Sequence, residues 1–134
     1  MKRIARRGFQ QLSAGNFDPV VKLFDTSGVL LFSGDHAMGG EHRGADEVRA
    51  WFDRVHGYFP DLRLEPIDMV VDGWPWNTRV ATRFRVSATL PDGRPYTNEG
   101  MQFLRLRWGK AVEDYLYEDT NKLAAELERM GATR

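Results

Sequence analysis

Three extended runs, at residues 78–90, 96–107 and 111–119, constrain the fold of this chain more than any other feature. They are joined by Pro91-Asp92-Gly93-Arg94 and by Trp108-Gly109, both hairpin-type connections. Joins this short pair their strands antiparallel, because a parallel pair needs a crossover of about a dozen residues or more. A further strand is expected from Leu62 to Val71, interrupted by Pro66, with Asp72 to Asn77 as the turn that follows. The second half of the chain therefore reads as a meander of sheet.

The first half reads mainly as helix. Ile4, Ala5, Phe9 and Leu12 form an apolar stripe over residues 2–14, and Gly15 is its stop. Asp18-Pro19 offers an N-cap followed by proline at the first helical position, ahead of Val20, Val21, Leu23 and Phe24. Gly28 to Phe32 is a short strand, and the glycine-rich stretch 33–44 is a loop. A third helix is expected from about Ala45 to Phe59, with Val48, Trp51, Phe52, Val55 and Phe59 on one face, and a last one from Asn121 to Met130. Helices segregated from long antiparallel strands mean an α+β domain, with the helices covering one face of a mostly antiparallel sheet.

Composition narrows the class. The 134 residues carry 19 basic and 19 acidic side chains, so a nucleic-acid module, which needs a basic surplus, is not expected. Hydrophobic content of 42% with 12% aromatics supports one packed domain over residues 1–134. No apolar run approaches the ~20 residues of a membrane span, and the basic start, Met1 to Arg7, lacks the apolar stretch of a secretory signal. Cysteine is absent, which removes disulfides and thiolate chemistry and agrees with a cytoplasmic location. No histidine pair has the His-x-x-x-His spacing of a metal site, and no phosphate-cradling loop is present, so neither metal nor cofactor is expected.

The order of elements, together with Leu12-Ser13-Ala14-Gly15-Asn16, the Gly40 to Val48 loop and helix start, Tyr96-Thr97-Asn98, Arg105 to Lys110 and Tyr117-Glu118-Asp119-Thr120, resembles a known fold. It is similar to the cone-shaped fold shared by nuclear transport factor 2, ketosteroid isomerases, SnoaL-like polyketide cyclases and limonene epoxide hydrolase. The resemblance covers nearly the whole chain. It implies a sheet curled around three N-terminal helices, a short C-terminal helix, a deep pocket at the open end and a homodimer. The fold hosts many activities, so the resemblance does not by itself choose one.

Which side chains face that pocket depends on register. A type I turn with a bulge at Gly109 would set Leu106 against Lys110, Gln102 against Asp114 and Asn98 against Glu118. A four-residue loop at Pro91 to Arg94 would set Leu90 against Pro95, Ser87 against Asn98 and Arg83 against Gln102. One face then carries the rows Arg83–Gln102–Asp114, Arg85–Gly100–Leu116 and Ser87–Asn98–Glu118. The other carries Val80, Phe84, Val86, Met101, Phe103, Tyr115 and Tyr117. A slip of one residue reverses a strand. Read from the residues alone, burying Arg83 and Arg85 is costly, which favours the apolar face as core. The resemblance favours the polar rows as pocket lining, because pocket positions of limonene epoxide hydrolase match 83, 85, 98, 100 and 116. The apolar face, with Phe84, Met101, Phe103, Tyr115 and Tyr117, would then be the dimer interface.

The resemblance also supplies candidate chemistry. The ketosteroid isomerase base falls on the stretch holding Asp35 and His36, where a carboxylate at the rim of an apolar cavity takes a proton from carbon beside a carbonyl; the competing reading is a loop Asp bonded to its own backbone. Gln102 matches an oxyanion-hole acid, while Gly8 stands where that hole has its tyrosine. Arg83 matches the arginine of the epoxide hydrolase dyad, but Arg85 and Leu116 replace both of its acids. Asp114 and Glu118 remain as positioned carboxyls, with Asn98 as a donor and Phe32, Phe52 and Phe59 as pocket wall. The expectation is a small-molecule-binding domain that works as a cofactor-free cyclase or isomerase on an apolar carbonyl compound; the alternative is a non-catalytic ligand-binding or dimerisation module.

Overall fold

A computed structural model describes residues 2–132. Four helices and six strands follow in the order α1 (Lys2–Ser13), α2 (Asp18–Leu23), β1 (Phe24–Phe32), β2 (Gly40–Arg43), α3 (Gly44–Tyr58), β3 (Arg63–Trp74), β4 (Asn77–Thr89), β5 (Pro95–Arg107), β6 (Lys110–Glu118) and α4 (Thr120–Arg129). All six strands form one sheet in the order β2-β1-β6-β5-β4-β3. Only β1 with β6 is a parallel pair, and its crossover carries the helix and the other strands. The expected α+β architecture is present. It includes one strand the sequence did not announce: β2 lies inside the glycine-rich stretch and pairs with β1.

The helices sit on the flanks of the sheet's inner face. α1 packs on β3 near one edge, and α3 packs on β1 and β2 at the other. On α1 Phe9 is buried and Leu12 is packed against the core, while the side chains of Ile4 and Ala5 lie outside the described residues. Val48, Trp51, Phe52 and Val55 are the buried stripe of α3, and the Trp51 indole donates to the Met38 carbonyl at 2.8 Å. Asp18 does not cap α2. The N-cap is Phe17, and Asp18 instead pairs with Arg49 of α3, tying the two helices together. Asp119 caps α4 through its side chain, and Leu123 and Leu127 seat that helix. No helix among the described residues is long and apolar enough to cross a membrane.

Both hairpins depart from the expected geometry. At the first, Thr89 pairs with Pro95, and the Leu90 N–H donates to the Arg94 carbonyl at 2.8 Å. The register is therefore one residue off the expected one, and it corrects the assignment of β4. Thr78, Val80, Thr82, Phe84, Val86 and Ala88 point inward, and Arg79, Arg83, Arg85 and Ser87 point outward. At the second, Trp108 and Gly109 both have positive φ (52° and 78°), as a two-residue type I′ turn requires. A bulge between Ala111 and Glu113 then shifts β6 again, so Leu104 faces Asp114 and Gln102 faces Leu116. That total shift is even, and the inward side of β6 is the expected one.

The sharp turn of β3 into β4 carries Trp74, Pro75 and Trp76. Trp74 and Trp76 stack with rings 6° from parallel, and Trp76 meets Trp108 across the second hairpin. The Trp108 N–H donates to the Pro75 carbonyl at 2.7 Å, so the two hairpin tips are joined. This is an exposed packed corner, away from the cavity described below.

Gly100 marks the tightest approach in the inner face. A Cβ there would meet the Tyr117 carbonyl at 2.5 Å, the Phe84 ring at 2.6 Å and the Glu118 Cγ at 2.9 Å. The backbone carbonyl cannot move without breaking the β5–β6 ladder. Gly100→Ala should cost about 1–3 kcal/mol and lower the melting temperature; an unchanged melting curve would refute that packing account.

Candidate functional site

Because the helices occupy the flanks, the inner faces of β4, β5 and β6 look into space between them. The result is a cavity of about 120 Å³. That is close to the size of an apolar cavity able to hold a single aromatic ring. Its wall is mostly aromatic and aliphatic, with Phe32, Trp51, Phe52, Phe59, Phe84 and Leu116 among the contributors. Three side chains with hydrogen-bonding amide or carboxyl groups interrupt it: Gln102, Asp114 and Glu118. Tyr96 adds a phenol.

Asp114 is 5% exposed, and its Oδ1 accepts from Gln102 Nε2 at 2.8 Å. Burial in the apolar wall pushes its pKa up to about 7; the Gln102 hydrogen bond pulls the other way and is outweighed. Arg83 was expected in the same row of one face, but it lies on the other side of the sheet, and among the described residues no positive group offsets the burial. Beside it, Gln102 Oε1 and the hydroxyl of Thr82 are buried without hydrogen-bond partners. The two residues are direct cross-strand partners. Thr82 stands behind the cavity lining; in the wall itself, a protonatable carboxyl beside the unsatisfied Gln102 oxygen is costly unless something else bonds there.

A second polar group lies four residues along β6. Burial raises the Glu118 carboxyl to about 7 as well. Asn98 Nδ2 donates to the Tyr96 hydroxyl at 2.8 Å, to the Asp119 carbonyl at 3.2 Å and to Glu118 Oε1 at 3.4 Å. Asn98 Oδ1 accepts from the Glu99 N–H at 2.8 Å, which fixes the amide's orientation. Burial lifts the Tyr96 phenol to about 12, against the smaller downward pull of Asn98.

The structure thus brings Phe32, Phe52, Phe59, Gln102, Asp114, Leu116 and Glu118 onto one wall, with Asn98 buried behind Tyr96. It does not bring Arg83 and Arg85 there. Both are on the outer face, where Arg85 lies 3.9 Å from Glu99 and Arg83 pairs in register with Asp68. Asp35 is exposed in the loop between β1 and β2, outside the cavity lining. His36 is buried, with Nε2 3.1 Å from the Ser33 carbonyl and Nδ1 accepting from the Met38 N–H at 3.2 Å. Both ring nitrogens thus bond the loop backbone, so this ring shapes the loop. Phe84, expected in the dimer face, is 2% exposed and packs on Phe9 in the core. Thr82 and Tyr96 escaped the sequence reading: Thr82 needed the correct β4 register, whereas Tyr96 shares the parity of Asn98 and Gln102 and could have been found from it. Among the described residues no group of three or more His, Asp or Glu side chains is placed to hold a metal ion.

The raised carboxyls fix how stability depends on pH. An unfolded aspartate titrates near ~4, so between that value and about 7 the folded chain holds a proton the unfolded chain has lost. The contribution of this carboxyl to stability is greatest below the lower value, falls as pH rises through the window, and levels off above it. Asp114→Asn removes this loss. At pH 8 the variant should be more stable than the parent by on the order of 2–4 kcal/mol, with little gain near pH 4. Thermal melts at the two pH values check it, and a difference independent of pH would refute it.

The sequence matches the SnoaL-like domain family over residues 5–114. No functionally curated protein matches the chain. Among solved structures, a protein of unknown function with a cystatin-like fold from Xanthomonas campestris is 20% identical, with a TM-score of 0.79 over 92% of this chain and 95% of that one. AclR, a putative hydroxylase from Streptomyces galilaeus, is 20% identical with a TM-score of 0.74, covering 99% and 85%. TerC, co-crystallised with polyporic acid, is 16% identical with a TM-score of 0.77, covering 90% and 92%. At these identities the likeness establishes the fold. With a family match across most of its length and that fold, the chain belongs to the SnoaL-like domain family.

Proposed function

We propose that this SnoaL-like domain binds a small, largely apolar carbonyl compound in its cavity and performs acid–base chemistry on it with Asp114. The observation that carries the reading is the buried Asp114 carboxyl, held by Gln102 and lacking a cation, in the wall of an aromatic cavity. A carboxyl poised near neutrality is ionised often enough to take a proton from carbon beside a carbonyl, and protonated often enough to return it. The second N–H of the Gln102 amide is the donor for the oxygen on which charge develops. Cyclisation, isomerisation and dehydration all use this proton transfer. The candidate base Asp35 lies outside the cavity lining, so the role passes to Asp114. The co-crystallised polyporic acid of TerC agrees with an organic ring compound as ligand. A cytoplasmic setting suits a chain without cysteine.

The test uses acetophenone, whose methyl protons exchange with deuterium through its enol. The parent protein should accelerate that exchange, with the rate rising through about pH 7 as Asp114 ionises. Asp114→Asn should lose about 10²-fold or more of the acceleration. No acceleration by the parent, or equal acceleration by the variant, would overturn the reading.

The same proposal includes a homodimer through the outer face of the sheet. Val70, Met101 and Tyr117 are exposed there, flanked by the partly buried Phe103 and Tyr115, and the outer charges occur in opposite pairs such as Arg79–Asp72. Phe103→Ala with Tyr115→Ala should halve the mass measured by light scattering. An unchanged mass would remove this interface.

A further inference from the structure

The proposed chemistry uses only one end of the cavity. At the other end, the Tyr96 hydroxyl is buried on a ring stacked against Phe59, and it accepts a hydrogen bond from Asn98 at 2.8 Å. A phenol has one proton to give. With Asn98 occupying the oxygen as a donor, that proton must point away from the amide, and among the described residues no bond from it to an acceptor is formed. Asn98 cannot turn to receive it, because its own carbonyl oxygen is engaged by the Glu99 N–H. The carboxyl of Glu118 lines the same end of the cavity.

We infer that Tyr96, Asn98 and Glu118 form a second oxygen-binding subsite, and that the ligand is a ring compound carrying an oxygen at each of two opposite ends. The inference rests on the cavity being the ligand site proposed above. Tyr96 donates to the second oxygen, Asn98 holds the phenol's proton in that direction, and Glu118 receives or supplies a hydrogen bond beside it. The Tyr96 phenol, lifted to about 12, stays a donor at any physiological pH. Asp114 and Glu118 are four residues apart on one strand face, so roughly 13 Å of backbone separates the two subsites. One ring between two oxygens, with a hydrogen bond of about 2.8 Å at each end, suits that length and a cavity of about 120 Å³. The arrangement repeats itself: Gln102 bonds Asp114 as Asn98 bonds Glu118, with both amides on β5 and both carboxyls on β6.

The probes are acetophenone and 4-hydroxyacetophenone, titrated into the protein below neutrality and followed by NMR. The parent should bind the hydroxylated ketone roughly tenfold more tightly, the worth of one hydrogen bond. Tyr96→Phe, which keeps the ring on Phe59, should erase the preference while leaving acetophenone affinity within about twofold of the parent. Asp114→Asn should keep the preference. Should Tyr96→Phe fail to fold, Glu118→Gln reads the same subsite and should reduce the preference without abolishing acetophenone binding. Equal affinities in the parent, or a preference surviving in Tyr96→Phe, would overturn the second subsite and leave the cavity as ligand site standing. Failure of both ketones to bind the parent would overturn the cavity reading and the subsite together.

Discussion

The register of β4 against β5 is the constraint that the other features of the structure build on. The hydrogen bond from the Leu90 N–H to the Arg94 carbonyl closes this hairpin with Thr89 opposite Pro95, which goes with one parity for all thirteen residues of β4. With this closure, six uncharged residues from Thr78 to Ala88 turn toward the helices, and every arginine of the strand turns to solvent. The alternative closure would bury Arg79, Arg83 and Arg85 and expose Phe84 and Val86. Desolvating three guanidiniums costs several kcal/mol each without close partners, far more than any single turn geometry can offset. The turn and the strand agree because the core enforces the register that the turn only permits.

A consequence of that register is that, among the described residues, the cavity is lined by two acidic side chains and no basic one. Had β4 faced the other way, Arg83 would point into the same face as Asp114 from two strands away, and its charge would favour the ionised carboxylate. Instead the arginines line the outside, close to Asp72, Glu99 and Glu113 on neighbouring strands, which leaves the inner carboxyls to titrate in an apolar setting. The two faces of one sheet thus separate exposed ion pairs from buried carboxyls. The outer pairs are half exposed and contribute little to stability.

Much of this was legible in the sequence. The segregation of helices from a meander, the apolar stripe of α3 and the inward side of β5 and β6 all followed from periodicity and turn residues. Asp114, Gln102, Glu118 and Asn98 were singled out and do lie together. What failed was arithmetic at turns. Pro91 to Arg94 admits two closures one residue apart; the cost of burying Arg83 and Arg85 pointed to the one that forms, and the resemblance pointed to the other. Asp35 and His36 were weighed by analogy of position, but a loop is the part of a fold whose side chains are least constrained by pattern. His36 turned back to staple the backbone around it, a role that no spacing announces.

The absence of a cation inside the cavity also bears on what can enter. A guest with a carboxylate or phosphate would meet two carboxyls, and among the described residues no guanidinium or ammonium lines the wall to receive it. It would lose its hydration in surroundings that add repulsion to that loss. On the proposed reading, such a wall favours an uncharged group of a guest over an anionic one at the places where Asp114 and Glu118 stand.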